Sequence, residues 1–349
     1  VAGDAGEVGC GEDRASVRLA AQLVYPHAMT NPATTTPFAA GRFIKEIGRG
    51  KKGARSLSRD DARELYAAML DGRVSDLEMG GLLLAMRIKG ESVDEIAGFL
   101  DAAEASFSLL AAPAASHAPV VIPSYNGSRS LPNLTPLLAL LLAREGVPVL
   151  MHGVLTDPGR VTSAEILREL GLPVAQSAAN AAAAFAAGRP AFLPIEALAP
   201  KMARLLALRR ILGVRNSTHT LVKILQPFSA PALRLTSYTH PEYFTMLSEY
   251  FAQCAPADRG DAFLMRGTEG ETVANPKRAN RIDWFHAGAA QVLVERQPPQ
   301  ETLPDLPDGS DAATTARWIE AALRGERPMP PAILEQVAHC REVAASLRV

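Results

Sequence analysis

The chain has 349 residues, 48% of them apolar and 21% charged, and a formal net charge of −1. That is enough chain and enough apolar content for two domains with full cores, and it excludes a polymer disordered throughout. Near-neutrality leaves a polyanionic partner open, because what decides that is where the cations sit.

Residues 1–41 mix Gly, Ala, Thr, Pro and scattered charges without a period and read as a flexible tail. Residues 42–112 read as a small all-helical domain. Ser58 with Asp61, Ser75 with Glu78 and Ser92 with Glu95 share the S-x-x-D/E spacing. In it a hydroxyl accepts from a free helix N–H while the carboxylate reaches back to the cap. Gly72 and Gly90 stand where the first two helices should close.

After Ala111–Ala115, read as a hinge, short apolar runs alternate with helices, so residues 116–349 read as a large α/β domain with a mostly parallel sheet. Val120–Ile122, Val147–Met151, Leu233–Ser237 and Ala262–Met265 are the expected strands. Leu134–Arg144, Thr162–Leu170, Met202–Ile211, Glu242–Phe251, Trp318–Leu323 and Ile333–Leu347 are the expected helices, and part of 175–205 is expected to join the helical domain. Tyr238, His240, Tyr243 and Phe244 mark a strand-to-helix turn, with His240 read as its cap.

Cys10, Cys254 and Cys340 are odd in number, widely spaced and match no zinc pattern, which points to a reducing cytoplasm. Leu137–Leu142 is too short to cross a bilayer, and no secretory signal is read at the start, so no membrane partner is expected.

The stretch Ser58–Ser106, SRDDARELYAAMLDGRVSDLEMGGLLLAMRIKGESVDEIAGFLDAAEAS, resembles the helical domain of the anthranilate phosphoribosyltransferases and related nucleoside phosphorylases. A weaker resemblance runs to about residue 290. It implies their nucleoside phosphorylase/phosphoribosyltransferase fold, and an activity moving a phosphoribosyl group from phosphoribosyl pyrophosphate (PRPP) to anthranilate, with Mg²⁺. In that family a GTGGD-type loop approaches the pyrophosphate; here the position reads Pro123-Ser124-Tyr125-Asn126-Gly127-Ser128-Arg129. A KHGNR-type segment reads Met151-His152-Gly153-Val154-Leu155. The metal-binding Asp-Glu pair falls in Arg266–Glu271, with glycine at the aspartate position, Glu271 at the glutamate and Glu269 nearby. An R-x-x-L-G-x-R stretch is kept as Arg209–Arg215 and then departs, leaving Arg209 or Arg215 as the arginine that would meet anthranilate. Asn126, Gly127, Ser128, Arg129, His152 and Gly153 are thus the remnant of a phosphoribosyl site, and Glu269 and Glu271 its metal ligands if transferase chemistry persists.

The wording GVRNSTHTLVK, SYTHPEYF and MRGTEGETVANPKR resembles instead the YbiB-type branch of the same fold. That resemblance implies a homodimer, joined through the helical domain, that binds nucleic acid with little sequence preference and needs no cofactor. The cations group accordingly. Lys45, Arg49, Lys51, Lys52 and Arg55 form one set, Lys201, Arg204, Arg209, Arg210, Arg215 and Lys223 a second, and Lys277, Arg278 and Arg281 a third. Brought together they would neutralise several phosphates of a nucleic acid, DNA being the expected partner. Aromatic residues are 5% of the chain and do not interleave with these runs, so backbone contact is expected rather than base stacking. The alternative is a phosphoribosyltransferase using PRPP and Mg²⁺ on anthranilate or another acceptor.

Overall fold

The structure, a computed structural model, describes residues 36–50, 52–298 and 305–348. The 1–35 portion of the expected tail, together with Lys51 and Cys10, lies outside the described residues.

The helical unit begins with α1 (Gly41–Ile47), α2 (Arg59–Leu70), α3 (Asp76–Lys89) and α4 (Val93–Glu104). The hydroxyls of Ser58, Ser75 and Ser92 accept from the N–H groups of Asp61, Glu78 and Glu95, and the latter two pairs close complete capping boxes. Gly72 and Gly90 take φ of 70° and 80° just past α2 and α3, a region that costs glycine nothing. Glu95 is fully buried yet satisfied: it accepts from Leu57 N–H at 2.9 Å and from Lys89 Nζ at 2.6 Å.

The α/β part runs β1 (Val120–Ser124), α5 (Thr135–Arg144), β2 (Val149–Gly153), α6 (Ser163–Glu169), α7 (Ala178–Ala186), β3 (Ala191–Pro194), α8 (Ile195–Leu198), α9 (Pro200–Ala207), α10 (Arg209–Leu212) and α11 (Thr218–Leu221). It continues with β4 (Leu233–Tyr238), α12 (Pro241–Gln253), β5 (Ala262–Arg266), β6 (Ile282–His286), β7 (Ala289–Val294), α13 (Ala312–Leu323) and α14 (Pro331–Ser346). The strands make one sheet in the order β3-β2-β1-β4-β5-β6-β7, parallel from β3 to β5 and antiparallel at β6 and β7. The fold is therefore the expected one: α/β, a helical unit followed by a mostly parallel sheet.

Both faces of the sheet are covered, as parallel strands require. Val121 and Leu150 point into a core continuous with the helical unit, while Val120, Ile122 and Met151 point into a second core against α5, α6, α13 and α14. α9 leans on α2 and α11 on α4, stitching the two parts together; Tyr66 and Thr218 share a buried hydrogen bond of 2.8 Å across that seam.

One expected element divides. The Met202–Ile211 run is two helices, α9 and α10, meeting at Leu208. The chain winds outward from β1 to β2 and β3, then returns to β4 on the other side of β1. The crevice at the C-terminal ends of β1 and β4 is thus the topological switch point, where sheets of this kind bind ligands.

Candidate functional site

Two loops leave the sheet at this crevice: residues 124–130 after β1 and residues 266–273 after β5. They are locked together. Glu271, fully buried, accepts from the backbone N–H groups of Asn126 and Gly127, both at 2.8 Å, through one oxygen. Glu269 accepts from the N–H of Arg129 and, at 3.0 Å, from that of Ser130. Burial alone would raise the Glu269 carboxyl, but those N–H groups and the Ser128 and Ser130 hydroxyls hold it below its ordinary value. Arg160 donates to the carbonyls of Gly127 and Glu269, at 3.2 and 3.3 Å, bracing both loops from outside.

Four backbone donors that could cradle a diphosphate are thus occupied by the chain's own acids. Asn126, Gly127 and Arg129, read as part of the remnant of a phosphoribosyl site, supply three of these donors. Glu269 and Glu271 are the residues that would hold a Mg²⁺ if transferase chemistry persists; both oxygens of Glu269 and one of Glu271 already accept from backbone N–H groups, and no step is routed through a metal.

Gly270, with φ of 97°, is required by the same lock: a Cβ there would lie 1.7 Å from Asn126 Nδ2. Gly153 has a comparable reason to be glycine, since its Cβ would fall 1.8 Å from the Ser124 carbonyl oxygen. His152 is interior. Its Nδ1 meets the Tyr125 hydroxyl at 2.7 Å, its Nε2 has no partner, and burial pushes its pKa down to about 3. This is a buried, neutral, hydrogen-bonded histidine near the end of β2.

The first group of cations, Lys45, Arg49, Lys52 and Arg55, is exposed around the end of α1, where Glu46 pairs with Arg49 at 2.6 Å. In the second group, Lys201 pairs with Asp71 at 2.7 Å and Arg204 donates to the Leu70 carbonyl at 2.6 Å. Both reach the C-terminal end of α2, Lys201 half-exposed and Arg204 exposed. Arg209 pairs with Asp157 at 3.6 Å, and Arg210 is exposed beside it. Arg215 donates to Asn126 Oδ1 at 3.2 Å, and Lys223 donates to the Gly270 carbonyl at 3.2 Å. Lys277 and Arg278 are half-buried in the turn that follows Asn275.

Arg87, Arg160, Arg266 and Arg296, which the cation groups in the sequence did not include, gather here too. Burial, then the nearby Arg209, Arg160 and Arg87 guanidiniums, push the Arg215 guanidinium below its ordinary value. Burial takes the Lys223 ammonium down to about 8, opposed by Glu271 and helped by Arg215 and Arg160. Burial, then Arg215, takes His219 to about 4. Further along, Arg266, Arg281 and Arg296 surround the Tyr238 hydroxyl. His240 is the N-cap residue of α12, as expected, with no capping hydrogen bond from its side chain. Among the described residues no helix is long and apolar enough to cross a membrane.

The family described as the helical bundle domain of a glycosyl transferase family matches residues 42–106. The uncharacterized protein YbiB of Escherichia coli strain K12 is 45% identical over 302 residues, covering 86% of this chain and 92% of YbiB. The anthranilate phosphoribosyltransferase of Bradyrhizobium diazoefficiens is 32% identical over 305 residues, with 86% of each chain covered. The solved anthranilate phosphoribosyltransferase of Thermus thermophilus matches with a TM-score of 0.66 at 24% identity, over 87% of this chain and 95% of that one. The Saccharomyces cerevisiae enzyme in complex with PRPP and Mg matches with a TM-score of 0.58 at 13% identity, over 88% and 93%. At those identities the two structures speak for the fold. By its helical bundle, its sheet and these relatives, the chain belongs to the anthranilate phosphoribosyltransferase-like family, glycosyltransferase family 3.

Proposed function

We propose that this protein is a homodimer that grips the phosphate backbone of DNA without reading its sequence, on the scaffold of a phosphoribosyltransferase. The observation that carries this reading is the convergence of Arg87, Arg160, Arg209, Arg215 and Lys223 at the C-terminal edge of the sheet, beside a diphosphate nest closed by Glu269 and Glu271. Like charges held in a crevice destabilise the free fold and favour an anionic ligand. The loop after α1 supports the same edge. Ile47 and Met86 line one small cavity, and Leu57 N–H donates to Glu95, so the two ends of this loop lie against the helical unit that carries Arg87.

A second copy has a place to sit. Leu77, Leu84 and Ile88 are 89%, 43% and 77% exposed and fall on one stripe of α3, with Gly80 and Gly81 leaving room for close approach. Replacing Ile88 by Lys is expected to convert a dimer to a monomer by light scattering. A wild-type protein that is already monomeric would remove the dimer from this reading.

The other reading is a phosphoribosyltransferase, favoured by the names of the relatives and by the retained Arg209 and Arg215. The closed nest opposes it. Titration of a labelled duplex of arbitrary sequence separates the two. Five contacted phosphates give a log–log salt slope of roughly −4.5, so affinity falls about 10²–10³-fold between about 50 and about 200 mM salt. No duplex binding at low salt, together with Mg²⁺-dependent binding of PRPP, would return the protein to the transferases.

A further inference from the structure

Asn126 is the only asparagine of the chain followed by glycine. In such a pair the missing Cβ lets the glycine nitrogen turn onto the preceding side-chain carbonyl and close a five-membered imide. Here the nucleophile, the carbonyl and the leaving group of that reaction each meet a suitable neighbour.

The nucleophile is the Gly127 nitrogen, whose N–H donates to Glu271 Oε1 at 2.8 Å. Glu271 is fully buried, so the acceptor is held in place. The carbonyl is that of the Asn126 side chain, whose Oδ1 accepts from Arg215 Nη2 at 3.2 Å. A guanidinium there draws charge off Cγ and faces the oxygen on which negative charge develops. The leaving group, Nδ2, gives no hydrogen bond among the described residues and faces Gly270, where a Cβ would lie 1.7 Å from it. The Gly270 carbonyl, the nearest candidate acceptor, is taken by Lys223 at 3.2 Å and the Ser237 hydroxyl at 2.9 Å.

We propose that Asn126 is a self-modifying site, at which the folded protein converts its own asparagine to aspartate and isoaspartate with release of ammonia. The Gly127 nitrogen gives its proton to Glu271 and attacks Asn126 Cγ. The new N–Cγ bond closes the ring while Arg215 meets the oxyanion. The Cγ–Nδ2 bond then breaks, the proton passes from Glu271 to the departing nitrogen, and ammonia leaves. Water adds to either carbonyl of the imide and opens it to aspartate or isoaspartate. The inference does not depend on what the crevice binds.

The consequence falls on the closed nest. Both products place a new carboxylate inside the lock made by Glu269 and Glu271, and isoaspartate also lengthens the main chain. Like charge at close range weakens the hold on the loop, so the nest opens with the age of the molecule, in one irreversible step.

Ammonia release and peptide mapping across residues 126–127 follow the reaction in the folded protein and, at the same pH and temperature, in the protein unfolded by urea. An Asn-Gly pair reacts slowly in any unfolded chain, so the comparison isolates what the fold adds. Conversion is expected to be about tenfold faster in the folded protein, within what a positioned proton acceptor supplies. Glu271→Gln and Arg215→Met should each bring the folded rate down to that of the unfolded chain. Arg341→Ala, whose side chain pairs with Glu145 at the end of α5, should leave it unchanged. If Glu271→Gln does not fold, Arg215→Met, which keeps the carboxylate in place, decides. A folded rate no faster than the unfolded one overturns the proposal and makes the same contacts a protection of Asn126. A fast folded rate that survives both substitutions overturns the roles given to Glu271 and Arg215, and the proposal with them.

Discussion

Two anion-shaped regions lie side by side at the switch point, and the chain has treated them oppositely. In the 124–130 loop every cradling N–H is met by Glu269 or Glu271 from within the fold. Beside it, Arg87, Arg215 and Lys223 face a cavity with most of their donors unspent. A region compensated from inside is structural and stabilises the fold. One left uncompensated costs stability in the free protein and is retained for what it binds.

Removing the internal compensation should give the largest effect. Glu271→Ala leaves the Asn126 and Gly127 amides buried without an acceptor, a loss of about 3 kcal/mol in denaturant unfolding. A loss under about 0.5 kcal/mol would mean the nest needs no plug.

Removing an uncompensated charge should do the reverse. Lys223 titrates near 8 in the fold against an ordinary 10.5, so the folded state binds fewer protons than the unfolded state between those values. Wild-type stability therefore rises with pH across that window. Lys223→Met is expected to abolish the rise and to stabilise the free protein at pH 7, by on the order of 1–2 kcal/mol after allowance for solvent screening. A destabilised Lys223→Met protein with an unchanged pH profile would assign the lysine to the first kind of region.

The smallest effect is expected at the rim of the plug. Glu269 is partly exposed, and Glu269→Ala should cost under about 1 kcal/mol while freeing the Arg129 and Ser130 amides. Calorimetric titration should then show inorganic pyrophosphate binding weakly, with Kd on the order of 1 mM, where wild type shows none. Equal binding by both proteins would mean the carboxylate does not occupy the cradle.

The regular parts of the molecule were legible because their signals are local. Ser75 with Glu78, Ser92 with Glu95 and Thr162 with Glu165 each close a box within four residues of chain, and all three boxes are present. The β6–β7 hairpin was not legible. Its turn is Ala287-Gly288, at φ of 47° and 83°, and alanine is not a residue that announces a left-handed position. β3 is short and follows an alanine-rich helix, so neither its period nor its composition separates it from the surroundings.

The site divides in the same way. Arg209, Arg210, Arg215 and Lys223 are near neighbours in sequence and could be read as a group. Arg87, Arg160, Arg266 and Arg296 are solitary in sequence and meet them only because the strands deliver their loops to one edge. The plug was hidden for a related reason. Glu271 lies 145 residues from Asn126, and a carboxylate that could hold a metal looks in sequence like one that accepts from an amide.

The interlock of Asn126 with Gly270 also bears on how this chain could change. Where the resembling enzymes carry an aspartate, position 270 here is glycine, and the space a side chain would need is filled by Asn126. Restoring the acid alone drives it into Asn126, while shortening Asn126 alone leaves a hole and removes the Arg215 hydrogen bond. Neither single step back is neutral, so the two positions must change together. The contact therefore couples the two positions, so that a change at either is felt at the other.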